Sequence, residues 1–488
     1  MTTANGPEPA PGARQSAARV ARAWLHGGWR AAQAIEPEFW RNLHGELLAI
    51  RPWIDRAIVL AHAAATGGIV VAFTLLADAA IHAFRLIEGW GPHGRYLTLL
   101  WTPALTVAVL WWARRFVPGA LGSGIPQVVR ALDDDQLQPA QQAWLASLRV
   151  SLHKIGLVSA GLLAGLSIGR EGPTVQVGAG AMVGARRWLS PQSGIDSHDL
   201  MVAGAAAGIA AAFNTPLGGI VFALEQLTRR RHIAHSSLVI AAIVLSGLVA
   251  VAVFGNQTYF GRLRVQAMSW SLLVPGLLVA LVAGLSGGLF ARLIVVSVRG
   301  LPDRISRWRR EHPLRFAAGC GLAVAVMGLA TQGATAGAGD LPTRALLEGH
   351  GELPGIYTLL KFCATWVSAW SGVPAGVFAP SLAIGAGIGH DVALASGLSR
   401  EAAIPLIAMG MASFLAATTG GPITAFIIVM EMVSGQAMVL SLMACALLSS
   451  GVARLVTRPM YQELAAMLPN PADAAAAPAA ASPDRRTT

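Results

Sequence analysis

Three stretches of this chain put glycine and proline at the head of an apolar segment: Gly122-Ser123-Gly124-Ile125-Pro126, Gly169-Arg170-Glu171-Gly172-Pro173 and Gly376-Val377-Phe378-Ala379-Pro380. Proline suits the first turn of a helix, where its missing N–H would have no partner in any case. Glycine lets the backbone approach a ligand closely and turn successive N–H groups towards it. A helix start carries roughly half a positive charge and up to four free N–H donors, so it binds an anion without a formal cation. A full cation would hold the ion too firmly for it to leave again. Three such starts in one chain predict a path for small anions.

Glu171 stands inside one of these starts. An ionisable group in apolar surroundings is costly and marks a functional position. When ionised, its carboxylate imitates an anion and fills the helix-end site. When protonated, it loses that attraction and swings aside, so proton and anion occupancy oppose one another. The competing explanation is an ion pair with Arg170, but neighbouring residues on a helix do not face each other. A second chemical pattern, Gly284-Leu285-Ser286-Gly287-Gly288, has the form of an intramembrane serine nucleophile. That chemistry needs a histidine base within reach. His312 lies in a basic loop and His350 and His390 near span ends, so Ser286 and its glycines read instead as a helix-packing surface.

The elements that would carry these groups are membrane spans. The chain has 488 residues, 54% hydrophobic and 12% charged, against roughly 25% charged in a soluble domain. Residues 57–77, 232–261, 265–291, 316–339, 362–390, 404–430 and 432–453 contain no Asp, Glu, Lys or Arg. Each is long enough to cross a hydrocarbon core of about 30 Å, which takes roughly 20 helical residues. The fold class predicted is therefore all-α and polytopic. The net charge of +11 is not a nucleic-acid footprint, because its arginines gather beside spans and no polar domain presents them. They cluster over 14–56, at Arg229-Arg230-Arg231, over 299–315 and around Arg454 and Arg458. Excess positive charge marks the cytoplasmic side, which places both termini and the loops after 228 and 298 there. Residues 16–56 mix arginine with Trp24, Trp29, Trp40 and Trp53 and predict an interfacial helix. The Ala/Pro-rich tail over 467–488 predicts disorder. Cys320, Cys363 and Cys445 sit in apolar runs and read as small hydrophobes rather than disulfides or metal ligands. No metal or cofactor is expected. No GxxxxGK[ST] pattern occurs, so neither nucleotide binding nor ATP-driven pumping is expected.

The chain also resembles itself at an offset of about 206 residues. AAAFNTPLGGIVFALE (210–225) aligns with AATTGGPITAFIIVME (416–431), matching Ala210 to Ala416, Pro216 to Pro422 and Glu225 to Glu431. PTVQVGAGAMVG (173–184) aligns with PSLAIGAGIG (380–389), and Gly122-Ser123-Gly124 has a counterpart in Gly337-Ala338-Gly339. Such symmetry marks transporters, whose site lies at the repeat interface. In both copies a helix is interrupted, at Asn214-Thr215-Pro216 and at Thr419-Gly420-Gly421-Pro422. Helix ends inside a membrane are tolerated only where protein or a water-filled path meets them. A receptor or scaffold would require neither these interruptions nor Glu171.

The GSGIP, GREGP, GVFAP and AAFNTPLGGIVFALE segments, in that order, closely resemble the signatures of the CLC chloride channels and proton-coupled chloride antiporters. The resemblance runs from about residue 57 to 466. It implies two inverted repeats of tilted and broken helices (57–230 and 231–466), and a homodimer with a pore in each subunit. It also implies a multi-pass place in the cell inner membrane, with no cytoplasmic regulatory domain. By the same resemblance, the Ser123 hydroxyl with neighbouring Gly124 and Ile125, the amides around Gly172, those of Val377 and Phe378, and the Tyr461 hydroxyl would bind chloride. Glu171 would be the gate and proton carrier. One departure stands out. The antiporters' inner proton-transferring carboxylate falls on the second residue of a Glu-Glu pair, which here reads Glu225-Gln226. Gln226 cannot ionise, so an inner proton path would run through Glu225 or through water. The resemblance therefore implies proton-coupled chloride antiport with an atypical inner path, the alternative being a chloride channel with little coupling.

Overall fold

A computed structural model describes residues 50–134, 137–228, 236–255, 258–261, 270–349 and 353–469. Most of the expected interfacial stretch, the Arg229–Arg231 cluster, His350 and most of the expected disordered tail lie outside the described residues. The first half of the chain forms α1 (Ile50–Glu88), α2 (Gly94–Phe116), α3 (Ile125–Asp133), α4 (Pro139–Leu145), α5 (Leu148–Leu163), α6 (Glu171–Val183), α7 (Ser197–Phe213) and α8 (Pro216–Phe222). The second forms α9 (Ser236–Phe254), α10 (Leu273–Arg299), α11 (Arg304–Glu311), α12 (Pro313–Ala330), α13 (Asp340–Leu347) and α14 (Tyr357–Trp370). It ends with α15 (Phe378–Ala395), α16 (Arg400–Thr419), α17 (Pro422–Met432), α18 (Val439–Arg454) and α19 (Met460–Ala466). The chain divides into a large unit, Val59–Arg187 with Ile195–Thr488, and a small one, Met1–Ile58 with Trp188–Gly194. Within the small unit the Asp55 carboxylate accepts from the Ser190 amide at 2.9 Å and its hydroxyl at 2.7 Å.

Eight of these helices are long and apolar enough to cross a membrane. Three differ from the spans read off charge-free runs. Residues 50–56 are helical and run on into α1 with nothing after Pro52 to interrupt it. The run 362–390 is two helices, broken at 371–377 where α15 must begin at Phe378. The α2 span was not foreseen, since Arg95, Arg114 and Arg115 at its ends shorten its charge-free run.

Some of the helices are sealed on all sides. Every residue of α7 from His198 to Phe213 is buried, as is nearly all of α16, the pattern of a helix enclosed by others. Glycines permit this. A Cβ on Gly178 or Gly204 would strike the other's carbonyl, and Gly385 and Gly410 repeat that contact between α15 and α16. Backbones this close are the small-residue packing of membrane helices.

The interrupted helices solve their free ends by exchange. Thr215 and Gly421 are the N-caps of α8 and α17, each followed by proline, and neither makes a side-chain cap bond. Instead the Glu431 carboxylate, from α17, accepts the amides of Leu217 at 3.2 Å and Gly218 at 2.7 Å. Glu225, in the turn that extends α8, accepts those of Ile423 at 3.0 Å and Thr424 at 2.7 Å. The two short helices pack together, and each supplies the anion that the other's dipole and free donors demand.

Candidate anion and proton site

The three Gly/Pro helix starts meet. Gly169 and Gly376 exchange backbone hydrogen bonds of 2.7 and 3.1 Å, an isolated antiparallel bridge that ties the start of α6 to the start of α15. The Ala375 amide donates to the Gly122 carbonyl at 3.3 Å, which brings in the turn before α3. Side chains are excluded from this junction. A Cβ on Gly172 would sit 2.5 Å from Ser123 Oγ, one on Gly376 2.7 Å from Pro173 Cδ, and one on Gly124 2.9 Å from the Gly172 carbonyl.

At the junction lie polar atoms that the protein leaves unsatisfied. Glu171 is fully buried, and neither carboxylate oxygen makes a hydrogen bond. Tyr461, on α19 where it packs against α3, is buried and turns its hydroxyl towards Ser123. Neither the Tyr461 nor the Ser123 hydroxyl meets the geometry of a hydrogen bond. Buried polar groups are normally paired, so two hydroxyls and one carboxylate without hydrogen-bond partners, beside helix starts, single out this junction as the candidate site.

The sequence-predicted residues thus converge at Ser123, Glu171, Gly172, Val377, Phe378 and Tyr461, with two adjustments. The Gly124 amide is taken by Gln127 Oε1 at 3.0 Å within its own helix start, which leaves Ser123 and Ile125 as the candidates of that turn for contact with an anion. Arg170 does approach Glu171, with Nε 3.9 Å from Oε1. Because Arg170 is the N-cap of α6 and not inside the helix, the rule that helical neighbours diverge does not apply. Its main partner is nevertheless Asp78 of α1, with Tyr259 Oη a further 3.5 Å contact.

Glu225 and Gln226 lie elsewhere, at the α8–α17 exchange. The Glu225 carboxylate is spent on capping α17, and Gln226 lies buried against Gly421 with its Nε2 unpartnered. The Ser286 hydroxyl donates back to the Val282 carbonyl at 2.6 Å, and Gly287 packs on Ala417, as a packing surface does.

Sequence reasoning missed a duplicated pair. Lys154 and Lys361 are the chain's only lysines, and both are wholly buried. Lys154 Nζ donates to the carbonyls of Ala120 at 2.8 Å and Gly122 at 2.7 Å. Lys361 Nζ donates to those of Thr335 at 2.9 Å and Gly337 at 2.7 Å. The turns they hold match: Gly122 and Gly124 have φ of 72° and 103°, Gly337 and Gly339 of 67° and 93°. These positive φ values require glycine. The signal was present, since Lys154 and Lys361 are separated by about the repeat offset.

Interrupted helices whose starts meet among buried, unpaired polar groups define a membrane transport protein. Residues 105–454 match the voltage gated chloride channel family, and the chain belongs to it. It is 31% identical over 386 residues to the H(+)/Cl(-) exchange transporter ClcA of Vibrio cholerae, covering 75% of this chain and 79% of that one. The ClcA of Vibrio parahaemolyticus is 29% identical over 393 residues, with coverages of 75% and 79%. Among solved structures, a slow cyanobacterial Cl-/H+ antiporter superposes with a TM-score of 0.71 at 22% identity, over 84% of this chain and 97% of that one. A CLC-type fluoride/proton antiporter gives 0.68 at 20%, over 84% and 97%. At these identities the structures speak for the fold alone.

Proposed function

We propose that this protein exchanges chloride for protons across the membrane, with Glu171 as gate and proton carrier. The observation that carries the reading is the set of unpaired buried groups at the junction: the hydroxyls of Ser123 and Tyr461 and both oxygens of Glu171. Two donors without acceptors suit chloride, and the carboxylate suits the same helix-end position when chloride leaves. The similarity to ClcA exchange transporters supports both the ion and the coupling. Since Gln226 cannot ionise and Glu225 caps α17, the inner proton path is assigned to water rather than to a carboxylate. The protein is read as a homodimer with one pore in each subunit, set in the cell inner membrane with both termini in the cytoplasm.

Reconstitution into liposomes, with chloride efflux and proton uptake recorded together, tests this. An outward chloride gradient is expected to drive protons inward against their own gradient. Chloride efflux with no accompanying proton movement overturns the exchange. It leaves a channel, the reading that the missing carboxylate at Gln226 favours.

A further inference from the structure

Adjoining Glu171 is a cavity of about 60 Å³, lined by Glu171 and Arg170 of α6, Asp78 and Arg85 of α1, and Asp340 of α13, to which Ser123 does not contribute. It has room for water between these groups. The three carboxylates form a graded series. The Asp78 side chain is 54% exposed, Asp340 is half-buried, and Glu171 is fully buried with neither oxygen hydrogen-bonded. Asp78 is committed to Arg170 by an ion pair. Asp340 is not so committed. The Tyr259 hydroxyl, which accepts from Arg170 Nη2 at 3.5 Å, faces it.

The repeat gives Asp340 its meaning. The Lys361-held turn before α13 copies the Lys154-held turn before α3, glycine for glycine. The first copy offers the Ser123 hydroxyl, where the second has Ala338, and the first copy begins its helix with Ile125, where the second has Asp340. One turn is equipped to hold an anion. The other has lost the hydroxyl and gained a carboxylate at the first position of its helix, the position Glu171 occupies on α6.

We propose that Asp340 is a proton-transfer residue of this transporter, passing protons between the solution on the α13 side and Glu171. The proposal rests on Glu171 carrying the proton. In each transfer the O–H bond of the Asp340 carboxylic acid breaks and one forms on the Glu171 carboxylate, directly or through water in the cavity, and Asp340 is reprotonated from solution. The groups that face Asp340 and bias this exchange are Glu171 and Arg170 from α6, Asp78 and Arg85 from α1, and Tyr259. Lys361 and Tyr357 add to them from α14, and Arg344 of α13 acts through the Tyr259 carbonyl, to which it donates at 2.6 Å.

The test uses the full-length protein in liposomes, with proton and chloride fluxes measured as pH is changed on one face at a time. Asp340→Asn is expected to lower the ratio of proton to chloride flux by about tenfold, and to flatten its dependence on pH at the α13 face only. Asp340→Glu is expected to restore both. Tyr259→Phe, which removes the hydroxyl from Asp340 but no carboxylate, is expected to shift the midpoint of that dependence without abolishing it. If Asp340→Asn keeps the wild-type ratio and pH profile while Glu171→Gln loses them, the relay is overturned and the gate stands. If Glu171→Gln also keeps them, the gate is overturned and the relay with it. Equal loss of both fluxes in Asp340→Asn, unrestored by Asp340→Glu, marks a structural residue and overturns the relay.

Discussion

A carboxylate sealed from solvent without a hydrogen bond is tolerable only if something regularly comes to it, because an unpaired buried polar group costs about 1–3 kcal/mol and a charged one more. On the proposed mechanism the visitors to Glu171 are a proton, which removes the charge, and the helix-end donors, which compensate it. Glu171→Gln keeps the shape, cannot ionise and cannot imitate chloride. Its chloride flux is therefore expected to persist without pH dependence while proton uptake in the liposome assay disappears; a variant still coupled would remove Glu171 from the mechanism. Ser123 sits under a tighter geometric limit. With a Cβ on Gly172 only 2.5 Å from Ser123 Oγ, Gly172→Ala must push the hydroxyl aside. A hydrogen bond to a charged partner is worth about 1.5–3 kcal/mol. Gly172→Ala and Ser123→Ala should each therefore weaken chloride binding by roughly tenfold or more, read by calorimetry in detergent. Normal affinity in both would place the anion elsewhere.

Between elements, the exchange of caps between α8 and α17 decides what Glu225 can do. A carboxylate holding two backbone amides at a helix start is stabilising, with loss of a cap costing about 0.5–2 kcal/mol and the ionised acceptor strengthening each bond. Glu225→Ala and Glu431→Ala are expected to destabilise the protein by about 1–2 kcal/mol each, measured by thermal unfolding in detergent. Because each mutation frees the start of the other repeat's helix, the two losses should not simply add. Glu225→Gln retains one acceptor oxygen. It should lose stability while keeping the ratio of proton to chloride flux, whereas a collapse of that ratio at unchanged stability would make Glu225 the inner proton donor. The same scale explains Gly178, Gly204, Gly385 and Gly410. Side chains there would force apart the helices that hold the GREGP and GVFAP starts in register.

Across the whole molecule, what the sequence made legible was local. Proline and glycine announced the breaks at 214–216 and 419–422 and the starts of α6 and α15, since those residues act on their own backbone. What stayed hidden was either distant or masked by charge. Nothing in residues 216–225 states that Glu225 caps a helix some 200 residues away, although the repeat paired it with Glu431. Arg95, Arg114 and Arg115 concealed α2 by bounding a span whose interior is apolar. The run 362–390 hid its break from charge patterning alone, because chain polarity does not change there, while Gly376 and Pro380 marked it. Orientation, by contrast, follows from packing once the helices are known. A Cβ on Gly333 would strike the Glu88 carboxylate, so the end of α1 and the end of α12 share a face. The basic helix α11 directly precedes α12 and therefore lies at the opposite face, and Arg299 joins it to the Tyr461 helix through a 2.9 Å bridge to Glu463. Positive charge beside spans faces the cytoplasm. On that rule we propose that α11, α19 and the Ser123 side face inward, and the turn at 89–93, Asp340 and the Glu171 cavity outward. His93 and Arg310, both exposed, report the two faces. With Cys320, Cys363 and Cys445 replaced, a membrane-impermeant maleimide should label His93→Cys in intact spheroplasts and Arg310→Cys only after permeabilisation. The reverse pattern would invert the protein and turn the Asp340 cavity towards the cytoplasm.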